Sequence, residues 1–315
     1  MLYKRILKKI LISTGALFTL LLIYLLPSSN MDDVDKVNID LSYQESEVYL
    51  LNDKNMLSKT SVIINNTDTV SKASELLDVL IISGKGESSI KSGFKSYIPS
   101  ETRINAVLYE NNILYVDFSP QIFDIEKDLE VSMIEGIVYT LTSIDDVDGV
   151  ILSVDGAVIE KLPNSNIVIP KLLTRKFGIN KRYDLTSIDD IDTITEYYVS
   201  EHNGNNYYVP VTKVTNDSRE KIKVIIEDLT SSDISETDLM SFINGNTKLL
   251  KTNIDNDIMY LTFNSYILND FDSKSILEEV INTISLSVKD NYDVSEVVFY
   301  VDDVEICKSV LKTLE

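Results

Sequence analysis

The stretch Ile113-Leu114-Tyr115-Val116-Asp117-Phe118-Ser119 returns about 145 residues later as Ile258-Met259-Tyr260-Leu261-Thr262-Phe263-Asn264. A chain that repeats a segment of this kind builds the same local structure twice, so the sequence reads as a tandem repeat. The ungapped match starts at Phe94-Lys95-Ser96-Tyr97-Ile98 against Leu239-Met240-Ser241-Phe242-Ile243 and ends at Ile122 against Ile267. Ser96, Ile98, Thr102, Asn111, Ile113, Tyr115, Phe118 and Ile122 recur unchanged.

Within the repeated stretch the apolar residues alternate as in a strand. Leu114, Val116 and Phe118 fall on one face, and the second copy keeps that face as Met259, Leu261 and Phe263. These six residues are the expected structural motif. Thr102 to Tyr109 alternates likewise, and Glu110-Asn111-Asn112, or Asp255-Asn256-Asp257 in the second copy, supplies residues that tolerate a left-handed turn. A β-hairpin is expected in each repeat.

Other elements flank it. Val48 to Leu51 and Ser61 to Ile64 form a hairpin about Asn52-Asp53-Lys54-Asn55, as do Glu196 to Val199 and Tyr207 to Val214 about Asn203-Gly204-Asn205. Val70 to Ile82 places Val70, Ala73, Leu76, Leu77 and Leu80 on one helical face, with Thr69 or Ser71 as cap; Ser218 to Leu229 is its counterpart. Leu129 to Thr142 and Ile276 to Val288 form second helices, and Gly149 to Asp155 and Glu296 to Asp302 form closing strands. Each unit reads β-β-α-β-β-α-β, an α+β domain with helices covering one sheet.

The N-terminus carries Lys4, Arg5, Lys8 and Lys9 before a Leu- and Ile-rich run from Ile10 to Leu26. As a helix this run reaches about 25 Å, and the lysines can snorkel, so it is expected to span a membrane. Asp32, Asp33 and Asp35 follow it, which places the rest of the chain outside the cytoplasm. Leu26-Pro27-Ser28-Ser29-Asn30 is a poor cleavage site, so the segment is expected to stay as an anchor. No cysteine follows the run, which excludes a bacterial lipid anchor. The expected organisation is a stub and anchor at 1–30, a tether at 31–46, repeat one at 47–162, a connecting segment at 163–195 and repeat two at 196–315.

The connecting segment holds Lys171, Arg175, Lys176, Lys181 and Arg182, a basic island interleaved with Ile167, Val168, Ile169, Leu172, Leu173 and Phe177. So apolar a linker is expected to pack on a domain. Its basic side chains are a candidate interface toward the acidic face of a neighbouring copy, or ordinary solubilising surface.

A net charge of −21 disfavours nucleic acid and anionic membrane surfaces as partners. The single cysteine and single histidine, Cys307 and His202, cannot make an internal disulfide or a multi-ligand zinc site. Cys307 reads as a buried small hydrophobe and His202 as a turn residue. Asp145-Asp146-Val147-Asp148 and Asp189-Asp190-Ile191-Asp192 lack the alternating spacing and distal glutamate of a calcium loop. Asp117 invites a catalytic reading, but the second copy has Thr262 there, so packing is what both copies keep. No catalytic, cofactor-binding or metal-binding residue is expected.

Val48-Tyr49-Leu50, Ala73 to Leu80, Phe94 to Pro99, Leu114 to Ser119 and Val150 to Gly156 together resemble the GerMN domain family, over about residues 45 to 310 in tandem. The resemblance implies a fold similar to the ring-building motifs of secretion-system components. It also implies a non-enzymatic protein of endospore-forming bacteria, anchored in the envelope and assembling with other sporulation envelope proteins between mother cell and forespore. The resemblance and the doubled domain together point to a scaffold that packs against neighbouring chains, in a homo-oligomer or ring. Two other readings stand beside it: a sensory or accessory module with a ligand pocket between the domains, and a hydrolase with two carboxylates about 5–10 Å apart in a cleft.

Overall fold

In the computed structural model, residues 44–231, 239–270 and 272–311 are described. The expected anchor lies outside them, as does the tether up to residue 43. Among the described residues no helix is long and apolar enough to cross a membrane.

Repeat one opens with the antiparallel strands β1 (Gln44–Asn52) and β2 (Leu57–Ile64). The Asn52 side chain shapes the turn between them, its Oδ1 accepting from the N–H groups of Lys54 and Met56, each at 2.9 Å. Helix α1 (Thr69–Leu80) follows, capped by Asp68, whose carboxylate accepts from Ser71 N–H; the cap is neither Thr69 nor Ser71. Ala73, Leu76, Leu77 and Leu80 face the core. A short β3 (Phe94–Lys95) then returns to β1.

The repeated stretch comes next, as β4 (Ile104–Glu110) and β5 (Ile113–Phe118), joined through Asn111 and Asn112 at φ 51° and 61°. Two consecutive left-handed residues give the turn whose twist matches a hairpin, and asparagine tolerates that region. Helix α2 (Lys127–Leu141) crosses over to β6 (Gly149–Val154), which runs parallel to β5. The short β7 (Ala157–Val158) closes a four-stranded sheet in the order β4-β5-β6-β7.

The connecting segment carries the short strand β8 (Arg182–Asp184). Repeat two then builds β9 (Asp192–His202) and β10 (Asn205–Thr215), helix α3 (Lys221–Thr230), β11 (Leu249–Asp255), β12 (Ile258–Phe263), helix α4 (Glu278–Asn291), β13 (Glu296–Val301) and β14 (Val304–Val310). Its second sheet runs β11-β12-β13-β14, with β12 and β13 parallel. Cys307 sits on β14 opposite Phe299 and is only half-buried.

The repeats are not two beads on a string. Strand β2 of repeat one pairs antiparallel with β10 of repeat two through Lys59 and Tyr208, and β8 runs parallel to the far end of β10 through Lys213 to Thr215. Since β9 takes the other edge of β10 along its whole length, the two opening hairpins together with β3 and β8 form one six-stranded sheet. β2 and β10 are the second strands of equivalent hairpins. Their antiparallel contact is the arrangement a two-fold relation between the repeats produces. The apolar cores nevertheless stay distinct, one built on Leu114, Val116, Phe118 and Ile137, the other on Met259, Leu261, Phe263 and Ile284.

Candidate functional site at the seam between the repeats

What fills the space between the two cores is aromatic and polar. Tyr49 on β1 and Tyr197 on β9 hold the same place in their repeats: each backbone N–H donates to a hydroxyl on its own second helix, Thr140 on α2 at 3.0 Å and Ser287 on α4 at 2.9 Å. Their side chains meet hydroxyl to hydroxyl at 3.0 Å. Tyr197 Oη then donates to Asp290 Oδ2 at 2.8 Å.

Arg175 enters this seam from the connecting segment. Its Nη1 donates to Asp290 Oδ1 at 2.6 Å, Nε to Thr142 Oγ1 at 3.2 Å and Nη2 to the Tyr139 carbonyl at 3.3 Å. The guanidinium carbon lies 4.7 Å from the centre of the Tyr139 ring and 5.6 Å from that of Tyr49, so its face is used as well as its edge. A planar, always-charged fork suits such a place better than lysine. Tyr139 Oη donates to the Arg175 carbonyl at 3.2 Å and lies 3.3 Å from Thr195 Oγ1. Burial pushes the hydroxyl pKa of Tyr49, Tyr139 and Tyr197 upward, and the Asp290 charge adds to this for all three. These tyrosines therefore act as neutral hydrogen-bonding groups and not as bases.

Two further basic residues of the same segment are consumed beside the seam. Lys181 Nζ lies 3.2 Å from Glu135 Oε1 on α2, and Asn180 N–H donates to Glu135 Oε2 at 2.9 Å. Burial raises the Glu135 pKa and Lys181 offsets part of that. Arg182 Nη2 is shared between Glu196 Oε2 at 2.8 Å and Asp228 Oδ2 at 2.9 Å, while Lys213 Nζ reaches Asp228 at 2.8 Å. Tyr198 Oη donates to Glu196 Oε2 at 2.7 Å, and Glu196 Oε1 is buried without a partner. Glu196 is completely buried. Burial therefore raises its pKa strongly, the Asp228 charge raises it further, and Arg182 offsets only part.

The expected motif residues Leu114, Val116, Phe118, Met259, Leu261 and Phe263 are all at most 1% exposed and stand in the two cores, not in the seam. Of the basic island, Arg175, Lys181 and Arg182 are engaged within the chain, because carboxylates distant in sequence come to them when the hairpins join. Lys171 and Lys176 stay exposed. Asp117 is a fastening. Its Oδ1 accepts from Ser153 Oγ at 2.7 Å and Gly156 N–H at 2.8 Å, and its Oδ2 from Asn105 at 3.1 Å. Desolvation raises its pKa, but these three hydrogen bonds outweigh that and hold it below the ordinary value.

Tyr49, Tyr139, Tyr197, Glu196 and Asp290 were not singled out as site residues in the sequence. One signal was present: Glu196 stands where repeat one has Val48, a charge at an apolar strand position. Among the described residues no three His, Cys, Asp or Glu side chains are disposed to hold a metal ion. With Tyr49, Tyr197, Arg175 and Asp290 paired to each other, the seam is suited to fixing one repeat against the other.

Comparison with known proteins gives a consistent picture. The model of a family described as Germane, sporulation and spore germination, matches residues 47–160 and 195–307. Spore germination protein GerM of Bacillus subtilis (strain 168) is 28% identical over 278 residues, 85% of this chain and 74% of that protein. The solved structure of the tandem GerMN domains of the sporulation protein GerM from Bacillus subtilis is similar at TM-score 0.76 and 26% identity, covering 83% of this chain and 92% of that one.

Proposed function

This chain belongs to the Germane family of sporulation and spore germination proteins, and from that we propose that it serves sporulation as a non-enzymatic scaffold. In this reading Ile10 to Leu26 anchors it in a membrane, and both repeats stand on the extracytoplasmic side, where they help assemble an envelope complex between mother cell and forespore. Its partners are other envelope proteins, further copies of itself among them.

The observation that carries the reading is the seam. The space between the repeats, where a ligand-sensing module would keep a pocket, is occupied by Tyr49, Tyr139, Tyr197 and the Arg175–Asp290 pair. A doubled domain joined through a shared sheet suits a rigid part in an assembly. The GerM relative supports the process, since its name places it in spore germination.

A fluorescent fusion of the full chain in sporulating cells tests this. Enrichment at the membrane engulfing the forespore is expected, with the repeats accessible to protease only from outside the cytoplasm. Uniform signal around the cell, or a cytoplasmic location of the repeats, would overturn it.

A further inference from the structure

Strand β14 is the outer strand of its sheet, paired to β13 on one side. The two-residue turn Asp302-Asp303, at φ 50° and 60°, closes the ladder at Val301 and Val304, and Leu311 N–H donates to the Ser295 carbonyl at 2.7 Å beyond its other end. Between these ends Ile306 is left over as the bulged residue. With the ladder fixed at both ends and one residue extra, Glu305, Lys308 and Val310 turn their N–H and C=O groups away from β13, toward the open edge. Such an edge is a template for one more strand.

Repeat one has the same edge, and there the chain closes it. Its β7 follows the equivalent turn, Asp155-Gly156, and the residues after it are met by the connecting segment folding back antiparallel. Leu162 N–H donates to the Ile167 carbonyl at 2.8 Å, Ile169 N–H donates to the Glu160 carbonyl at 3.0 Å, and Lys161 stands opposite Val168. In repeat two, among the described residues, no strand takes that place.

The side chains of β14 select the occupant. Glu305 and Lys308 stand on either side of the bulge, on one face of the sheet, and both are about half exposed. Lys308 Nζ lies 3.8 Å from Glu305 and 3.6 Å from Glu296, too far for a hydrogen bond to either. A lysine on a sheet edge ordinarily keeps a second strand away. Two copies of β14 laid antiparallel about a two-fold axis through the bulges, however, set each Glu305 opposite the other copy's Lys308, and opposite charges facing across a strand pair attract. The two bulges then meet, so the distance from residue 305 to 308 is the same on both strands. A foreign strand would need that spacing and that order of charges, which β14 itself has.

We propose that β14 pairs with β14 of a second copy, antiparallel and two-fold symmetric, joining the four-stranded sheets of two chains edge to edge. The backbone gives the affinity, and the reciprocal Glu305–Lys308 pairs give the register. This deepens the scaffold reading by naming the surface through which copies meet. It rests on that reading in one respect: copies anchored in one membrane meet at raised effective concentration, so a short edge suffices.

The test is sedimentation velocity of the full chain, purified in detergent, over a range of concentrations. A monomer–dimer equilibrium is expected, with hydrogen exchange at the Lys308 and Val310 amides slowing as the dimer forms. Glu305→Lys alone and Lys308→Glu alone each set like charges across the pair and are expected to weaken the dimer about tenfold; the two together are expected to restore it. Both side chains are exposed and their ion pair within the chain adds little stability, so the variants keep the fold. Monomer at every concentration would overturn the proposal. So would a dimer that leaves the two amides unprotected, or one indifferent to the charge reversals, as a dimer formed through Ile10 to Leu26 would be. A dimer that passes these tests in a protein whose fusion is spread uniformly around sporulating cells would sink the scaffold reading alone.

Discussion

Arg175 Nη1 stands 2.6 Å from Asp290 Oδ1, with Asp290 only 2% exposed at its side chain. The pair joins the connecting segment to the last helix of repeat two while the rest of the guanidinium is bound to repeat one. Removing one partner of such a pair leaves a buried charge unmatched, which costs about 3–5 kcal/mol. Arg175→Met is therefore expected to lower the unfolding free energy by about that amount in urea titrations, and Arg175→Met with Asp290→Leu to recover much of it. Equal loss in single and double variants would show that the pair is not coupled.

Glu196 supplies a pH dependence whose sign follows from its environment. A carboxyl whose folded pKa is raised binds its proton more tightly in the folded state. Its contribution is thus fully present below the ordinary carboxylate pKa and is lost as pH rises toward the raised folded value. Melting temperatures of the protein and of Glu196→Gln across that window are expected to diverge in favour of the variant as pH increases. Divergence in the opposite sense would mean that Glu196 is held ionised by Arg182.

Gly136, in the middle of α2, inverts an ordinary expectation. Gly to Ala inside a helix usually stabilises by about 1 kcal/mol. Here a Cβ would run into the Tyr97 hydroxyl and ring and the Leu57 side chain. Overpacking costs about 1–3 kcal/mol, so Gly136→Ala is expected to melt lower than the parent protein. A rise in melting temperature would show that Tyr97 can move aside.

Phe118 and Asp117 are neighbours with opposite roles. Phe118 is fully buried, so Phe118→Ala is expected to cost about 3–5 kcal/mol, and Phe263→Ala in the second core a similar amount. Asp117→Ala is expected to cost much less. Because the Asp117 pKa is depressed, its contribution is present above the ordinary carboxylate value and lost as pH falls through the folded one. Chemical denaturation at two pH values separates the two residues; the reverse order of cost would contradict the facing of β5.

Much of each repeat was legible because side-chain periodicity records which face is buried: Leu114, Val116 and Phe118 against Asp117, and Ala73, Leu76, Leu77 and Leu80 on α1. The joining of the hairpins was not. Strand β2 meets β10 through backbone groups at Lys59 and Tyr208, and edge pairing leaves no side-chain period to read. The fate of the basic island was hidden for a related reason. Asp290, Glu135 and Glu196 lie far from it along the chain or on another element, and only the shared sheet brings them to Arg175, Lys181 and Arg182. Asp68 escaped notice as the cap of α1 because Thr69 and Ser71 beside it are equally able to cap.

The account rests most on the two repeats behaving as one body, and calorimetric unfolding of the full chain measures that most directly. A single cooperative transition is expected, with calorimetric and van't Hoff enthalpies equal, and Phe118→Ala should shift it whole. Two separate transitions, with Phe118→Ala moving only one, would contradict it.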